Sequence, residues 1–219
     1  MRIAIIIPDR GDRPEFLANC IQMLKRQTLC PAYVHVMDLP PDSDKPDITK
    51  RYRKAYENLM AADLPIDLIS LVENDDWYSP TYLETMAWEW KRHGKPDIFG
   101  INYTIYYHLK LRKYFRFIHD DRASAMNTFL RPGLTIKWPA DDERYTDIHL
   151  WDTHNGPRAA IDPGKILSIG MKHGMGMAGG AFHINKLDRY TEEDNGFLKA
   201  HLDEESFEFY SSITEKLNS

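Results

Sequence analysis

The sequence predicts one α/β domain in which a mostly parallel sheet carries a small antiparallel annex. In the first half, apolar strand-like runs alternate with amphipathic helical patterns, the order typical of a parallel sheet flanked by helices. In the middle, two β-rich runs at 98–107 and 113–118 predict antiparallel strands joined near Leu109. A chain of 219 residues fits a single domain spanning 1–219.

Each element has its own local signal. The apolar run Ile3–Ile7 stops at Pro8, as a strand buried on both faces does. Asp12 is a candidate helix cap, and Pro14 suits a first helical turn. The other expected elements are a helix to about residue 27, strands at 33–37, 66–72, 124–130 and 166–170, helices at 48–61 and from 80, and a terminal helix at 198–217.

Composition excludes several classes of protein. The net charge of -5 and pI of about 6.0 disfavour a general nucleic-acid coat protein, which is usually basic. No apolar run reaches the ~18 residues of a membrane helix, and the N-terminal run is too short for a signal peptide. Cys20 and Cys30 are too few for a disulfide framework. We therefore expect a cytoplasmic protein with reduced thiols and no membrane span.

Polar residues follow three of the expected strands. Pro8-Asp9-Arg10 follows the first strand, Asp38 the second and Glu73-Asn74-Asp75-Asp76 the third. Ligands of such sheets bind beyond the carboxyl ends of the strands. The sequence therefore predicts a binding site where these segments meet.

The acidic run Glu73–Asp76 has two interpretations. Carboxylates at a stiff strand end can hold Mg²⁺ or Mn²⁺, leaving positions for phosphate oxygens. Alternatively, the run is a solvated turn in which Asp76 or Ser79 caps the next helix.

A family resemblance favours the metal site. The run from Leu71 to Glu84 resembles the D-x-D-D-W-x-x-P-x-Y-L segment of family 2 glycosyltransferases, and Ile5–Leu17 is similar to their I-P-T-x-N-R-P-x-x-L opening. Asp38 stands where the family's second strand ends in aspartate. Two departures are that Glu73 replaces the first aspartate and that Leu39-Pro40-Pro41 replaces the usual glycine and serine.

The resemblance implies a GT-A fold, with a nucleotide-sugar-binding half at about 1–100 and an acceptor-side half at about 101–219. It also implies roles for individual residues in the first half. Asp75 would bind the Mn²⁺ or Mg²⁺ ion, with Asp76 or Glu73 helping. Pro8, Asp9 and Arg10 would line the nucleoside pocket, and Asp38 would contact the base. Arg51 and Arg53 would approach the diphosphate or face solvent.

The catalytic base is expected in the second half. Family 2 members usually keep this aspartate at the start of a helix, and Asp147-Ile148-His149-Leu150-Trp151 has that form, with Thr146 in place of the usual glutamate. A base must lie within hydrogen-bond reach of the attacking hydroxyl. Asp147 is the candidate, although it can instead serve only as a helix cap. Asp194, in a polar turn, is the next base to test.

Lys172 and His173 precede a glycine-rich segment that suits a loop closing over phosphates. Lys172 is expected to bind the nucleotide sugar. In several GT-A enzymes a histidine after the last core strand completes the metal shell, which makes His173 the candidate and His183 the second choice. The segment 103–116 interleaves aromatic and basic residues, which suits either acceptor contact or an amphipathic hairpin with a solvated face.

The leading hypothesis is an inverting glycosyltransferase that takes a nucleoside diphosphate sugar, expected to be a UDP-sugar. Its acceptor is a glycan, a lipid, a protein or a modified nucleobase, and a second subunit, for example in a homo-oligomer, can complete the acceptor site. One alternative is a nucleotidyltransferase, which usually has a glycine-rich basic loop after its first strand. Another is a non-catalytic sugar-binding or assembly protein.

Overall fold

The computed structural model describes residues 1–41, 45–174 and 187–219. These residues form eleven strands and six α-helices. The strands are β1 (Ile3–Asp9), β2 (Tyr33–Asp38), β3 (Leu68–Leu71), β4 (Trp77–Tyr78), β5 (Ile98–Ile101), β6 (Tyr103–His108), β7 (Lys113–Ile118), β8 (Thr128–Leu130), β9 (Arg158–Ile161), β10 (Ser168–Lys172) and β11 (Glu192–Glu193). The helices are α1 (Pro14–Lys25), α2 (Ile48–Ala61), α3 (Tyr82–Arg92), α4 (Thr146–Thr153), α5 (Phe197–His201) and α6 (Glu204–Asn218).

The larger sheet has six strands in the described part of the chain, in the order β2-β1-β3-β8-β5-β9. Strands β1, β2 and β3 are parallel, and β8 runs antiparallel between β3 and β5. All residues of Ile3–Ile7 are fully buried, as their uninterrupted apolar pattern predicts. The expected α/β fold with a mixed sheet and an annex is confirmed.

The smaller sheet has the order β11-β7-β6-β10-β4 among the described strands. Its centre is the β6–β7 hairpin, and β10 lies parallel to β6. Strand β4 directly follows the acidic run and pairs with β10 through Ser168 and Tyr78. The loop Glu73–Asp76 therefore connects the two sheets, and the end of β10 lies beside it.

Three sequence expectations about element boundaries are wrong. The run 98–107 is two strands in different sheets, because the backbone of Asn102 bonds instead to Ile161 (2.9 Å) and His119 (2.7 Å). Residues 124–130 begin with a 3₁₀ turn at Ala125–Asn127 before β8. Helix α1 begins after Arg13, which takes the N-cap position expected for Asp12.

The expected C-terminal helix is also divided, because Asp203 starts a new helix. Its carboxylate caps α6 by accepting the Ser206 backbone N–H at 3.1 Å. The same carboxylate accepts the Trp77 indole N–H at 3.2 Å and an Arg26 guanidinium N–H at 3.1 Å. Asp203 therefore ties α6 to α1 and to β4, next to the acidic loop.

None of the helices in the described ranges has the length and hydropathy needed to cross a membrane.

Replacing Asp203 with alanine should lower the free energy of unfolding by about 1–3 kcal/mol, because a helix cap and three side-chain donors, Trp77, Arg26 and the Ser206 hydroxyl, lose their acceptor. Burial opposes the charge of Asp203, but bonds from Ser206 and Trp77 outweigh it and lower its pKa. The contribution is therefore present above the ordinary aspartate pKa of about 4 and is lost as pH falls through the lower folded-state pKa.

Urea unfolding of the wild type and Asp203→Ala at neutral and acidic pH measures this difference. Glu208→Ala, at an exposed position of the same helix, is the matched control. An equal loss of stability in both variants would contradict the assignment of Asp203 as the tie.

Candidate active site

A cavity of about 360 Å³ opens at the carboxyl ends of β1, β3 and β10. Strand β1 contributes Pro8 and the following Arg10, β3 leads into Glu73 and Asp75, and β10 ends in Lys172. The β6–β7 hairpin and the start of α4 also contribute to the lining. Two sheets and a helix end therefore meet around one volume, as the rule for strand ends predicts.

The most charged contact is a triangle formed by Asp75, Arg13 and His173. Arg13 Nη1 donates to Asp75 Oδ2 at 2.6 Å, and His173 Nε2 lies 2.9 Å from both atoms. His173 is almost fully buried, and its ring packs on Phe16 with centroids 4.6 Å apart. The imidazole is therefore fixed in place, with Nε2 directed at the carboxylate.

Asp76 and Lys172 form a second, deeper contact. Asp76 is fully buried, and its Oδ1 accepts the Met171 backbone N–H at 2.8 Å and lies 4.0 Å from Lys172 Nζ. Among the described residues, no donor reaches Asp76 Oδ2. One oxygen of this buried carboxylate thus has the electron pairs to accept a ligand.

The three acids of the loop titrate differently. Burial opposes the charge of Asp75, but the His173 bond and the Arg13 charge outweigh it and lower the pKa of Asp75 well below its usual range. Burial raises the pKa of Glu73 to about 7, with Lys172 opposing this shift and Asp75 adding to it. Burial also raises the pKa of Asp76, against the opposing charge of Lys172. Oxygens of all three acids lie within 4.8 Å of one another, as a metal site requires.

The end of β1 is held by a polar network beneath the cavity. Asp9 is buried, and its carboxylate accepts the Asn74 amide at 2.6 Å and the Gly11 backbone N–H at 3.1 Å. Arg51 donates to the Asp9 carbonyl and to the Asp47 carboxylate, the latter at 2.7 Å. Asp47 also accepts from Arg10 at 3.1 Å. This network fixes the turn that follows β1.

Of the binding residues expected from the sequence, Pro8, Arg10, Arg51, Glu73, Asp75, Asp147 and Lys172 line the cavity. Asp76 and His173 are buried behind that surface, in contact with Lys172 and Asp75 respectively. Asp9 is also buried, and Asp38 is exposed outside the cavity lining, although it pairs with Asp9 in the β1–β2 register. Arg53 does not line the cavity. It bonds to Asp141 and Glu57, which agrees with the alternative expectation that it lies on a solvated helix face.

Asp147 lies in the same cavity as the acidic loop, in the first turn of α4. Arg122 Nη1 donates to its Oδ2 at 2.5 Å. Burial raises the pKa of Asp147, and the charge of Arg122 opposes this shift. The carboxylate is thus held in one orientation, on the side of the cavity formed by the second half of the chain.

The alternative candidates lie elsewhere. Asp194 accepts the Leu198 backbone N–H at 3.1 Å and an Arg112 N–H at 3.2 Å, in a turn outside the main cavity. Its carboxylate there accepts a backbone N–H from the first turn of α5, whose N-cap is Gly196. His183 and most of the glycine-rich segment lie outside the described residues.

Sequence reasoning assigned no role to Arg13, Asn74, Arg122 and Tyr210. Tyr210 is fully buried in α6 and donates to the Asp75 carbonyl at 3.2 Å. Arg13 stands inside the opening segment that resembles family 2, but its contact with Asp75 spans 62 residues. Arg122 carries no local signal at all.

Comparison with known proteins identifies the architecture. No family model and no curated protein sequence matches the chain. Solved structures of S. aureus TarS are similar to it. The TarS 1-349 complex with UDP-GlcNAc has a TM-score of 0.58 at 14% identity, covering 100% of this chain and 72% of that one. The chain has a GT-A glycosyltransferase-like fold.

Two further TarS structures agree with this GT-A-like assignment. The TarS 1-349 complex with UDP has a TM-score of 0.53 at 14% identity, covering 98% of this chain and 71% of that one. The longer TarS structure has a TM-score of 0.55 at 14% identity over 100% of this chain. The present chain spans 43% of that longer protein.

Replacing Tyr210 with phenylalanine should lower the free energy of unfolding by about 0.5–1.5 kcal/mol, because the buried Asp75 carbonyl loses its donor. The side chain keeps its shape, so the packing of α6 is retained. Thermal and urea unfolding measure the change, with Tyr33→Phe on the half-exposed face of β2 as the control. A Tyr210→Phe variant as stable as the wild type would show that this bond contributes nothing.

Proposed function

We propose that the protein is a metal-dependent glycosyltransferase that transfers a sugar from a UDP-sugar to a hydroxyl acceptor, with inversion. The observation that carries the proposal is one cavity, in a GT-A-like fold, whose lining includes both the acidic loop and Asp147. Donor and acceptor chemistry need these two kinds of carboxylate within reach of one sugar. On this proposal, residues up to about 100 bind the donor together with Lys172 and His173, and the other later residues form the acceptor side.

The residues present fit a divalent cation. Asp75 Oδ2 and His173 Nε2 lie 2.9 Å apart, close to the ~3 Å between adjacent ligands of a six-coordinate ion with bonds of about 2.1 Å. Asp76 Oδ2 is buried without a donor among the described residues and can accept a ligand. When bound, Mn²⁺ or Mg²⁺ neutralises the charge that develops on the leaving diphosphate.

Arg13 now takes the place where a cation would contact both ligands. Its guanidinium bonds to Asp75 Oδ2 and approaches His173 Nε2. A bound cation would compete with Arg13 for these two atoms, and Arg13, which lines the cavity, would then have a phosphate of the donor as a suitable partner. Lys172, which also lines the cavity, supplies a second positive charge for the diphosphate.

The UDP assignment rests on the TarS structures, which were solved with UDP and with UDP-GlcNAc. In this chain the nucleoside side of the cavity is bounded by Pro8 and Arg10. The Arg51–Asp47 pair fixes the β1 turn from below. Arg51 therefore acts on the donor through the backbone of Asp9, to which it donates.

Asp147 is the proposed base. A carboxylate facing the acceptor takes the proton of the attacking hydroxyl as that oxygen bonds to the anomeric carbon from the side opposite the departing diphosphate. Arg122 positions this carboxylate and keeps one of its oxygens engaged. Attack from the opposite side inverts the anomeric configuration.

Replacing Asp75 with asparagine should abolish metal-dependent donor binding. Wild-type protein is expected to gain thermal stability with UDP and UDP-sugars when Mn²⁺ is present, since a ligand that binds only the folded state stabilises it. The asparagine amide keeps the shape of the side chain but lacks the charge that the ion requires. Differential scanning fluorimetry with UDP, other nucleoside diphosphates and nucleoside triphosphates measures the shifts.

Asp63→Asn, at an exposed turn position with φ of 47° that asparagine tolerates, is the matched control. Stabilisation by nucleoside triphosphates alone would favour the nucleotidyltransferase alternative. No stabilisation by any nucleotide would leave a non-catalytic binding or assembly role.

Replacing Asp147 with asparagine should slow UDP release from a UDP-sugar by about 10²-fold or more, because the base is lost. Hydrolysis of the donor by water, without an added acceptor, provides the assay, and donor affinity should stay unchanged. Asp152→Asn, exposed on the same helix, is the control. Since burial raises the pKa of Asp147, the wild-type rate should fall on the acid side at a pH above the ordinary aspartate pKa of about 4. A hydrolysis rate that Asp147→Asn leaves intact would exclude Asp147 as the base.

A further inference from the structure

The β6–β7 hairpin contributes aromatic side chains, and none of its lysines or arginines, to the cavity lining. Tyr106, Phe115 and Phe117 line the cavity, and we call them the aromatic wall. Phe115 lies opposite Tyr106 in the hairpin register, with ring centroids 5.5 Å apart, and its ring packs edge-on against the Tyr190 ring with centroids 4.9 Å apart. The wall is thus backed by further aromatic packing that holds its rings in place.

Three of the four lysine and arginine side chains of the hairpin pair with acids on other segments. Arg112 pairs with Asp194 at 3.2 Å, Lys113 with Glu193 at 2.7 Å and Arg116 with Asp162 at 2.7 Å. None of these three cations is among the described residues that line the cavity. The hairpin therefore presents rings, not charge, to an acceptor.

Large apolar side chains that remain exposed concentrate at this cavity. In the described parts of the chain, six large hydrophobic side chains are exposed, and three of them, Phe117, Tyr145 and Ile148, line the cavity. Exposed apolar groups gathered at one concave site mark a binding surface. Tyr145 and Ile148, which we call the α4 rim, flank Asp147 in the sequence.

We propose that the space between the aromatic wall and the α4 rim binds a pyranose ring of a glycan acceptor. This inference rests on the proposed function and narrows its acceptor class. A pyranose has an apolar C–H face that packs on aromatic rings and a rim of hydroxyls that need polar partners. The wall and the rim supply the first requirement, and the Asp147 carboxylate, which lines the same cavity and is held by Arg122, supplies the second at the reacting hydroxyl.

A nucleic-acid acceptor fits these observations less well. Base stacking uses aromatic rings as well, but the accompanying phosphates require a track of available cations. Three of the four hairpin cations are paired with acids outside the cavity, and Arg122 is engaged by Asp147. The lining also holds Arg10, Arg13, Arg51 and Lys172, which the proposed function assigns to the donor side. Among the described cations of the lining, only Arg144 and Arg189 remain, too few to follow a polyanion along the hairpin.

Saturation-transfer NMR on the full chain tests the inference. The probes are the methyl pyranosides of glucose, galactose, mannose and N-acetylglucosamine, each added with UDP and Mn²⁺ present. Saturation of ring C–H protons is expected for at least one of them in the wild type. Phe117→Ala and Tyr145→Ala should reduce it by about 3-fold or more, the loss expected for one aromatic contact.

Ile118→Ala is the matched control, because Ile118 is the neighbouring exposed apolar residue of β7 and does not line the cavity. Saturation transfer from Ile118→Ala to the pyranoside ring protons should equal that from the wild type. Fluorescence anisotropy of a labelled mixed-sequence single-stranded DNA provides the competing arm, and no change is expected.

Three results would overturn the inference. No pyranoside receives saturation, Phe117→Ala transfers as much saturation to the pyranoside protons as the wild type does, or the oligonucleotide binds the wild type and loses affinity in Phe117→Ala. Calorimetric titration of UDP with Mn²⁺ on the same variants separates this failure from failure of the proposed function. Retained UDP binding without pyranoside saturation sinks only the acceptor inference, whereas absent UDP binding in the wild type sinks the transferase proposal.

Discussion

The site depends on the balance of charge around one short loop. Asp75 and Asp76 follow a fully buried strand, and Asp76 is itself fully buried while Asp75 is half-buried at the cavity lining. An unpaired carboxylate withdrawn from water costs several kcal/mol. Arg13 and Lys172 supply the compensating positive charge, at 2.6 Å from Asp75 and 4.0 Å from Asp76. Removing either side leaves the other buried without this compensation. The mutual requirement keeps α1, the acidic loop and the end of β10 together.

The rest of the fold supports that balance from outside. Asp203 ties α6 to the indole of Trp77 just after the loop, and Tyr210 of the same helix donates to the carbonyl of Asp75. Asp76 accepts the backbone N–H of Met171, which joins the loop to β10 of the smaller sheet. The last helix and both sheets thus share one short segment. Precise positioning of polar groups in such a site requires rigid elements of this kind.

Local pattern was enough to predict much of the fold. The run Ile3–Ile7 has the composition of a doubly buried strand, and the alternation of strands and helices predicts the parallel part of the sheet. The division at Asn102 was not predictable, because it depends on hydrogen bonds to Ile161 and His119 that only the folded chain brings near. A continuous β-rich run has no local signal for changing sheets.

The candidate site, like the fold, was predictable from the sequence only where the signal is local. The acidic loop and Asp147 are visible as sequence motifs, and the structure brings both to one cavity. Their partners are not visible, because Asp75 meets His173 across 98 residues and Asp147 meets Arg122 across 25. Arginines are common at surfaces, and only the three-dimensional arrangement distinguishes Arg13 and Arg122 from the solvated Arg53.

The alternation of side chains along β7 has an evolutionary consequence. Residues that line the cavity and residues that lie outside it occupy separate positions of one hairpin, remote in sequence from the charged loop. Mutations at the inward positions can remodel the space opposite the acids while the charge pairs around Asp75 and Asp76 stay intact. Such a scaffold can diversify what it recognises on one side and preserve its chemistry on the other.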